Sequence, residues 1–221
     1  RPLGAHATAE LGIRYEMSRL TQTGDATLAK SLAFWKPRLR LTWTPDNRQT
    51  LRLLFEREVG QLDFADFVGA ASLNSGTVSA GNINLEPDSL WRFELAYERR
   101  FGAGSLTAAV RREWISDLVD QLPVVAGGVV YDAVGNIGRA RRDEFEAALK
   151  WPLDGLGAKG VIVTADVVAR RSRATDPSTG ERRRISGDIP LEAKVAFTHD
   201  IPEWKVRWGG AYVFGQTEKS F

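Results

Sequence analysis

Apolar and polar residues alternate with a period of two through much of the chain. In SLWRFELAYERRF, residues 89–101, Trp91, Phe93, Leu95 and Tyr97 share one face while Arg92, Glu94, Ala96 and Glu98 share the other. Successive side chains of a strand point to opposite faces, so this segment reads as a strand with one apolar and one polar side. The pattern recurs. AFWKPRLRLTW places Ala33, Trp35, Leu39, Leu41 and Trp43 opposite Lys36, Arg38 and Arg40, and TLRLLFEREV places Leu51, Leu53, Phe55 and Val59 together. Phe145, Ala147, Leu149 and Trp151 alternate with Glu144, Glu146 and Lys150; Leu191, Ala193, Val195 and Phe197 alternate with Glu192, Lys194 and Thr198. Val206, Trp208, Tyr212 and Phe214 form a last apolar row. With further strands expected near residues 9–20, 105–119 and 161–171, the chain reads as about nine strands.

The connections carry as much information as the strands. TPDNRQ, FGAGS, PLDGLGAKG and DIPEWK are short links after the second, fourth, sixth and eighth strands. Long polar loops follow the third, fifth and seventh, the second of them an irregular Gly-rich stretch over residues 120–140. A sandwich has no reason to sort loop length by parity, whereas a barrel crossing a membrane has short turns at one rim and long loops at the other. The predicted fold is therefore all-β: an antiparallel up-and-down meander forming an incomplete segment of a large transmembrane β-barrel. Trp43, Phe101, Trp151 and Trp204 each lie at or beside a short turn, where an aromatic girdle belongs; Trp also favours strand ends and core edges for packing reasons alone.

Composition leaves this reading open and narrows the partners. The 221 residues are 43% hydrophobic and 26% charged, with 30 Lys and Arg against 28 Asp and Glu, so the balance gives no nucleic-acid footprint. No apolar run approaches the ~20 residues of a spanning helix, but barrel strands need only ~9–11 residues with every second one apolar, which suits a mean hydropathy of −0.25. There is no Cys, hence no disulfide framework or thiolate site. The chain opens RPLGAH without Met or a leader and ends GQTEKSF, so an excerpt of a longer protein is expected.

GNINLEPDSLWRFELAYERRF, with Gly81, Asn82, Asn84, Leu85, Glu86 and Pro87, resembles the loop and following strand of TonB-dependent outer-membrane receptors, where Asp88 stands at a common Glu position. The stretches LRLTWTPDNRQTLRLLFEREVGQLDFADFV, YDAVGNIGRARRDEFEAALKWPLD and TDPSTGERRRISGDIPLEAKVAFTHDIPEWKVRWGG are similar to the barrels of alphaproteobacterial members. The resemblance covers nearly the whole chain, and residues 1–221 are read as one partial barrel domain without its plug or closing strands. It implies an outer-membrane importer whose partners are its own plug domain and remaining strands, the TonB complex acting through that plug, outer-membrane lipid and lipopolysaccharide, and a small solute. In the motif itself, Pro87 lacks an N–H and holds Glu86 extended, while Asn82 and Asn84 fold back in turns.

Candidates for chemistry are sparse. His6 and His199 have no partner at metal-ligand spacing, and no nucleophile or phosphate-loop motif occurs, so no enzyme, cofactor or metal site is expected. In QLDFADF, Asp63, Phe64, Asp66 and Phe67 either help bind a ligand at the barrel mouth or pack the loop down. In ERRRIS, Arg182, Arg183 and Arg184 either meet phosphate or an anionic ligand or remain a solvated run. Arg38, Arg40 and Arg52 either line the lumen or pair with acids such as Glu56 and Glu144 on neighbouring strands. Function follows as a choice between uptake of a scarce solute across the outer membrane and, alternatively, a soluble or cell-surface β-sandwich that binds carbohydrate.

Overall fold

The computed structural model describes residues 2–22, 28–62, 70–72, 77–80, 82, 84–126 and 129–216. Its strands are β1 (Ala7–Gln22), β2 (Leu28–Asp46), β3 (Gln49–Val59), β4 (Ala70–Ser72), β5 (Thr77–Ala80), β6 (Ser89–Phe101), β7 (Gly104–Ser116), β8 (Val119–Ala126), β9 (Val129–Asn136), β10 (Ala140–Pro152), β11 (Val161–Thr175), β12 (Arg182–Arg183), β13 (Leu191–Ile201) and β14 (Val206–Gly215). The main sheet runs β1-β2-β3-β6-β7-β10-β11-β13-β14, with β12 added on β11. Every pairing in it is antiparallel. All nine expected strands are present in the expected order, and among the described residues the sheet does not close.

Turn chemistry accounts for the short links. After β2, the Asp46 carboxylate accepts from the Arg48 N–H at 2.8 Å and from the Gln49 side chain at 2.9 Å, closing the turn over residues 47–48. After β6, Gly102 takes φ +57°, and a Cβ on Gly104 would stand 2.5 Å from the Phe101 ring and 2.8 Å from the Lys150 carbonyl oxygen. Both glycines in FGAG are therefore required, one for backbone hand and one for space. The links after β10 and β13 are single 3-10 turns, Asp154–Leu156 and Pro202–Trp204.

One expectation needs correcting. Residues 120–140 are not irregular: β8 and β9 form an antiparallel hairpin there, and β5 pairs with β9 in parallel to make a second sheet, β4-β5-β9-β8. VDQLPVVA and VVYDAVGN are nearly continuous apolar runs, so the period-two signal is lost. The fifth strand also stops at Ser116 rather than continuing to Val119, because Asp117 adopts a left-handed φ of +56° that ends the ladder.

The buried apolar cluster is small and lies at the strand ends on the long-loop side, where Ile115, Ala140 and Ala174 of β7, β10 and β11 meet Leu118, Ile137 and Ile185. Over most of the main sheet the apolar side chains instead form an uncovered face. Leu11, Met17, Trp43, Trp151, Trp208 and Tyr212 on that face are all exposed. A sandwich would cover it with a second sheet; among the described residues none does. Neighbouring aromatics pack along it, Tyr15 with Trp35 at 4.5 Å between ring centroids and Phe55 stacked on Trp91 at 5.0 Å.

Candidate functional site

Opposite the apolar face, register converts alternation into rows of charge. Arg38 pairs with Glu56, Glu56 with Arg92, Arg92 with Glu113 and Glu113 with Arg142, one residue from each of β2, β3, β6, β7 and β10. The signs alternate at every step. Arg38 lies 3.3 Å from Glu56, Arg92 lies 2.8 Å from Glu113, and Arg142 donates to Glu113 at 3.2 Å and to both oxygens of Asp188 at 2.7 and 3.1 Å. A second rung runs two residues away. Arg111 bonds Glu94 and Glu144, and Arg170 bonds Glu144 and Glu192, carrying the row from β6 to β13. Opposite charges on facing strand positions stabilise a sheet, and here each internal member has at least two partners, Arg92 adding Glu58 at 2.9 Å.

Glu113 is the most enclosed member, its side chain 4% exposed between two guanidiniums. Arg40 and Arg52 pair with Glu10 and Glu98 at 3.9 and 3.8 Å, so the arginines that sequence left between lining and pairing do pair; Glu144 takes Arg111 and Arg170 in place of any of them.

The long loops are stapled to one end of this wall. In the NLEP segment Asn82 accepts from the Asn84 N–H at 3.0 Å, the turn that sequence anticipated, and its amide donates to Val134 O at 3.2 Å. Leu85 is fully buried and Pro87 is buried, while Lys30 from β2 donates to Leu85 O at 2.8 Å. Asn136 accepts from the Glu86 N–H and donates back to Glu86 O, both at 2.8 Å, and reaches Asp117 O at 2.7 Å. The segment thus locks the loop before β6 to the β8–β9 hairpin. Gly81 lies outside the described residues.

Across the same end, Arg183 is a buried knot, its side chain 8% exposed, 2.9 Å from Asp120 and 3.2 Å from Asp176. Arg182 and Arg184 on either side are exposed. The three arginines grouped by sequence therefore divide into one structural anchor and two solvent-facing cations. Asp63, Phe64, Asp66 and Phe67 lie outside the described residues. At the turn end, Trp43, Trp151 and Trp204 are exposed and Phe101 is half-buried against its turn. Sequence reading missed the matching set at the loop end, Tyr15, Trp35, Trp91 and Trp114, all on the apolar face.

Two loop carboxyls are perturbed in opposite directions. Burial pushes Asp88 above the ordinary aspartate range, opposed by its own backbone N–H and by Arg142. Asp176 is held below that range chiefly by the backbone N–H groups of Thr179 and Ser178, at 3.1 and 2.8 Å, with help from Arg183.

Where the loop after β3 meets the polar wall, a cavity of about 240 Å³ is bordered by Glu16, Arg19, Lys30, Phe34, Lys36 and Pro87. Register puts Arg19 on the apolar face with Tyr15 and Met17. The wall therefore offers two cations, Lys30 and Lys36, the latter paired with Glu16 at 2.7 Å, beside an aromatic ring, which suits an anionic solute with an apolar part. Among the described residues no cluster of His, Cys, Asp and Glu fits a metal ion.

The model of the TonB dependent receptor-like, beta-barrel family matches residues 2–219. The chain belongs to that family. Among solved structures it is similar to a copper transporter, OprC, with a TM-score of 0.70 and 12% identity over 96% of this chain and 33% of the other. It is similar to the FrpB iron transporter from Neisseria meningitidis (F3-3 variant), at TM-score 0.65 and 11% identity over 95% and 31%. A third is the siderophore receptor PiuA from Acinetobacter baumannii, at TM-score 0.63 and 17% identity over 95% and 31%. The chain spans about a third of the length of each of these structures. No curated protein matches it in sequence.

Proposed function

We propose that this chain is part of the barrel wall of an outer-membrane receptor that imports a small solute. The observation that carries this is the division of the sheet into an uncovered apolar face and a face of paired charges, with ion pairs running from β1 to β13 and the long loops after β3, β7 and β11 at one rim. In this reading the apolar face meets lipid, the charged rungs face a wet lumen, and the stapled long loops form the outer mouth. The partners are the plug domain and further strands that complete the barrel, and the TonB complex that works through the plug. Lumenal rungs with every charge paired make a stiff, nearly neutral wall that a plug can move against without trapping a counter-charge.

The solute proposed is anionic, captured beside Lys30 and Lys36 and released inward as the plug rearranges. A chelated metal fits that chemistry, and the similar structures are an iron transporter, a copper transporter and a siderophore receptor. The chain's own side chains supply binding and no covalent step.

Reconstitution of the receptor in brominated-lipid bilayers tests the reading. Trp35 and Trp208, both more than half exposed on the apolar face, are expected to lose most of their fluorescence to bromine. Unchanged emission from both would remove the lipid-facing assignment.

A further inference from the structure

The apolar face is not apolar to its edge. Cross-strand register places Arg57, Trp91, Trp114, Arg141 and Arg173 in one row over β3, β6, β7, β10 and β11. The next row toward the turns reads Phe55, Phe93, Arg112, Asp143 and Arg171, and the one after is wholly apolar: Leu53, Leu95, Val110, Phe145 and Ala169. Five arginines and one carboxylate therefore lie on the outward face at the loop-side limit of the apolar belt.

Their state differs from that of the inward arginines Arg38, Arg92, Arg111, Arg142 and Arg170, each of which is held by at least one carboxylate. Arg112 and Arg141 share the single Asp143, while Arg171 and Arg173, both exposed, make no ion pair with a described residue. Phe93, Val110, Trp114 and Phe145 line an open groove of about 610 Å³ that is also bordered by Arg112, its partner Asp143, and Arg171. An apolar groove with Arg171, unpaired among the described residues, on its border and Arg173 two residues along the same strand face fits an amphiphile with acyl chains and an anionic head. The row of arginines extends over four strand spacings, about 19 Å, so it serves several anionic groups at once and exceeds one phospholipid head.

We propose that this patch is a binding site for the anionic acylated glycolipid of the outer leaflet, lipopolysaccharide, with its phosphates on Arg112, Arg171 and Arg173 and an acyl chain in the groove. The proposal rests on the reading above that the long loops face outward. It places the lipid contact on the barrel wall below Arg182 and Arg184 and apart from the loop run itself.

The test is native mass spectrometry of the intact receptor, delipidated and titrated with rough lipopolysaccharide, with its enzymatically dephosphorylated form, and with phosphatidylglycerol. A saturable one-to-one adduct is expected with lipopolysaccharide, weakened at least about tenfold by dephosphorylation and by Arg171→Glu with Arg173→Glu, a reversal that breaks no ion pair among the described residues. Arg171→Lys with Arg173→Lys keeps the charge and is expected to retain the adduct, and Arg182→Glu with Arg184→Glu is expected to leave it unchanged. Heat-modifiable gel mobility confirms that each variant is a folded barrel. Equal binding by wild type and the Arg171/Arg173 reversal overturns the site, and equal or tighter binding of phosphatidylglycerol overturns the glycolipid assignment. Bromine quenching of Trp35 and Trp208 reads the membrane orientation independently, so loss of the lipid site leaves the receptor reading standing.

Discussion

Glu113 sits where the cost of a single atom is largest. Its carboxylate is enclosed between Arg92 and Arg142, so Glu113→Ala leaves two partly buried guanidiniums facing each other with one partner fewer each. Removing one member of a buried pair costs about 3–5 kcal/mol, and the partial exposure of both arginines places the expected loss near the lower end, about 3 kcal/mol. Glu98→Ala, whose partners Arg52 and Arg100 are well exposed, is expected to cost no more than ~1 kcal/mol. Urea titration of folded and unfolded gel bands compares the two, and equal midpoints would mean that the inner rung contributes nothing.

The two perturbed loop aspartates give pH dependences of opposite sign. Asp176 has its pKa depressed on folding, so its contribution is complete above the unfolded aspartate value and is lost as pH falls through the lower folded value. Asp88 is raised, so it opposes folding increasingly as pH climbs from the unfolded value through the folded one. Hydrogen exchange is expected to show residues 176–190 loosening in acid, an effect removed by Asp176→Ala. Asp88→Asn is expected to protect the loop junction at neutral pH; faster exchange there would contradict the burial-driven shift.

Among the elements, the strands with an apolar and a polar side were legible because Trp91, Phe93, Leu95 and Tyr97 announce their own periodicity. β8 and β9 were not, since an apolar run such as PVVAGGVV is equally a buried strand, a helix segment or a loop by period alone. Of the rungs, pairing of Arg38 with an acid such as Glu56 was legible as one of two readings; it takes register to set Arg92 beside Glu56 and Glu113, and register is a property of two strands together. The same holds for the five outward arginines, which lie on four strands, β3, β7, β10 and β11. The NLEP segment was legible in its turn chemistry but not in its role as a clasp, because Asn136, its main partner, is about fifty residues away. Leu85→Ala empties a fully buried site and is expected to cost about 2–5 kcal/mol locally. Limited proteolysis within residues 82–88 should therefore accelerate in that variant, and unchanged cleavage would show that the loop is held by its polar contacts alone.

At the scale of the whole sheet, the apolar belt has a height that can be checked. Arg141 and Trp151 lie on the same face of β10 about ten residues apart, which is ~33 Å along the strand and ~25 Å across a bilayer once the strand is tilted by ~40°. That is the thickness of the apolar band on an outer-membrane barrel, bounded here by Trp114 beside Arg141 at the loop end and by Trp151 at the turn end. Phe145 falls between these limits, four residues from Arg141 on the outward face. Single-Trp receptors carrying Trp114, Phe145→Trp or Trp151 would report depth through lipids brominated near the head or near the chain end. Trp114 and Trp151 are expected to be quenched best by bromine close to the headgroups, and the Trp introduced at 145 by bromine near the chain terminus. One depth profile shared by all three would mean that the strand lies along the surface and that the two aromatic boundaries are not the edges of a spanning belt.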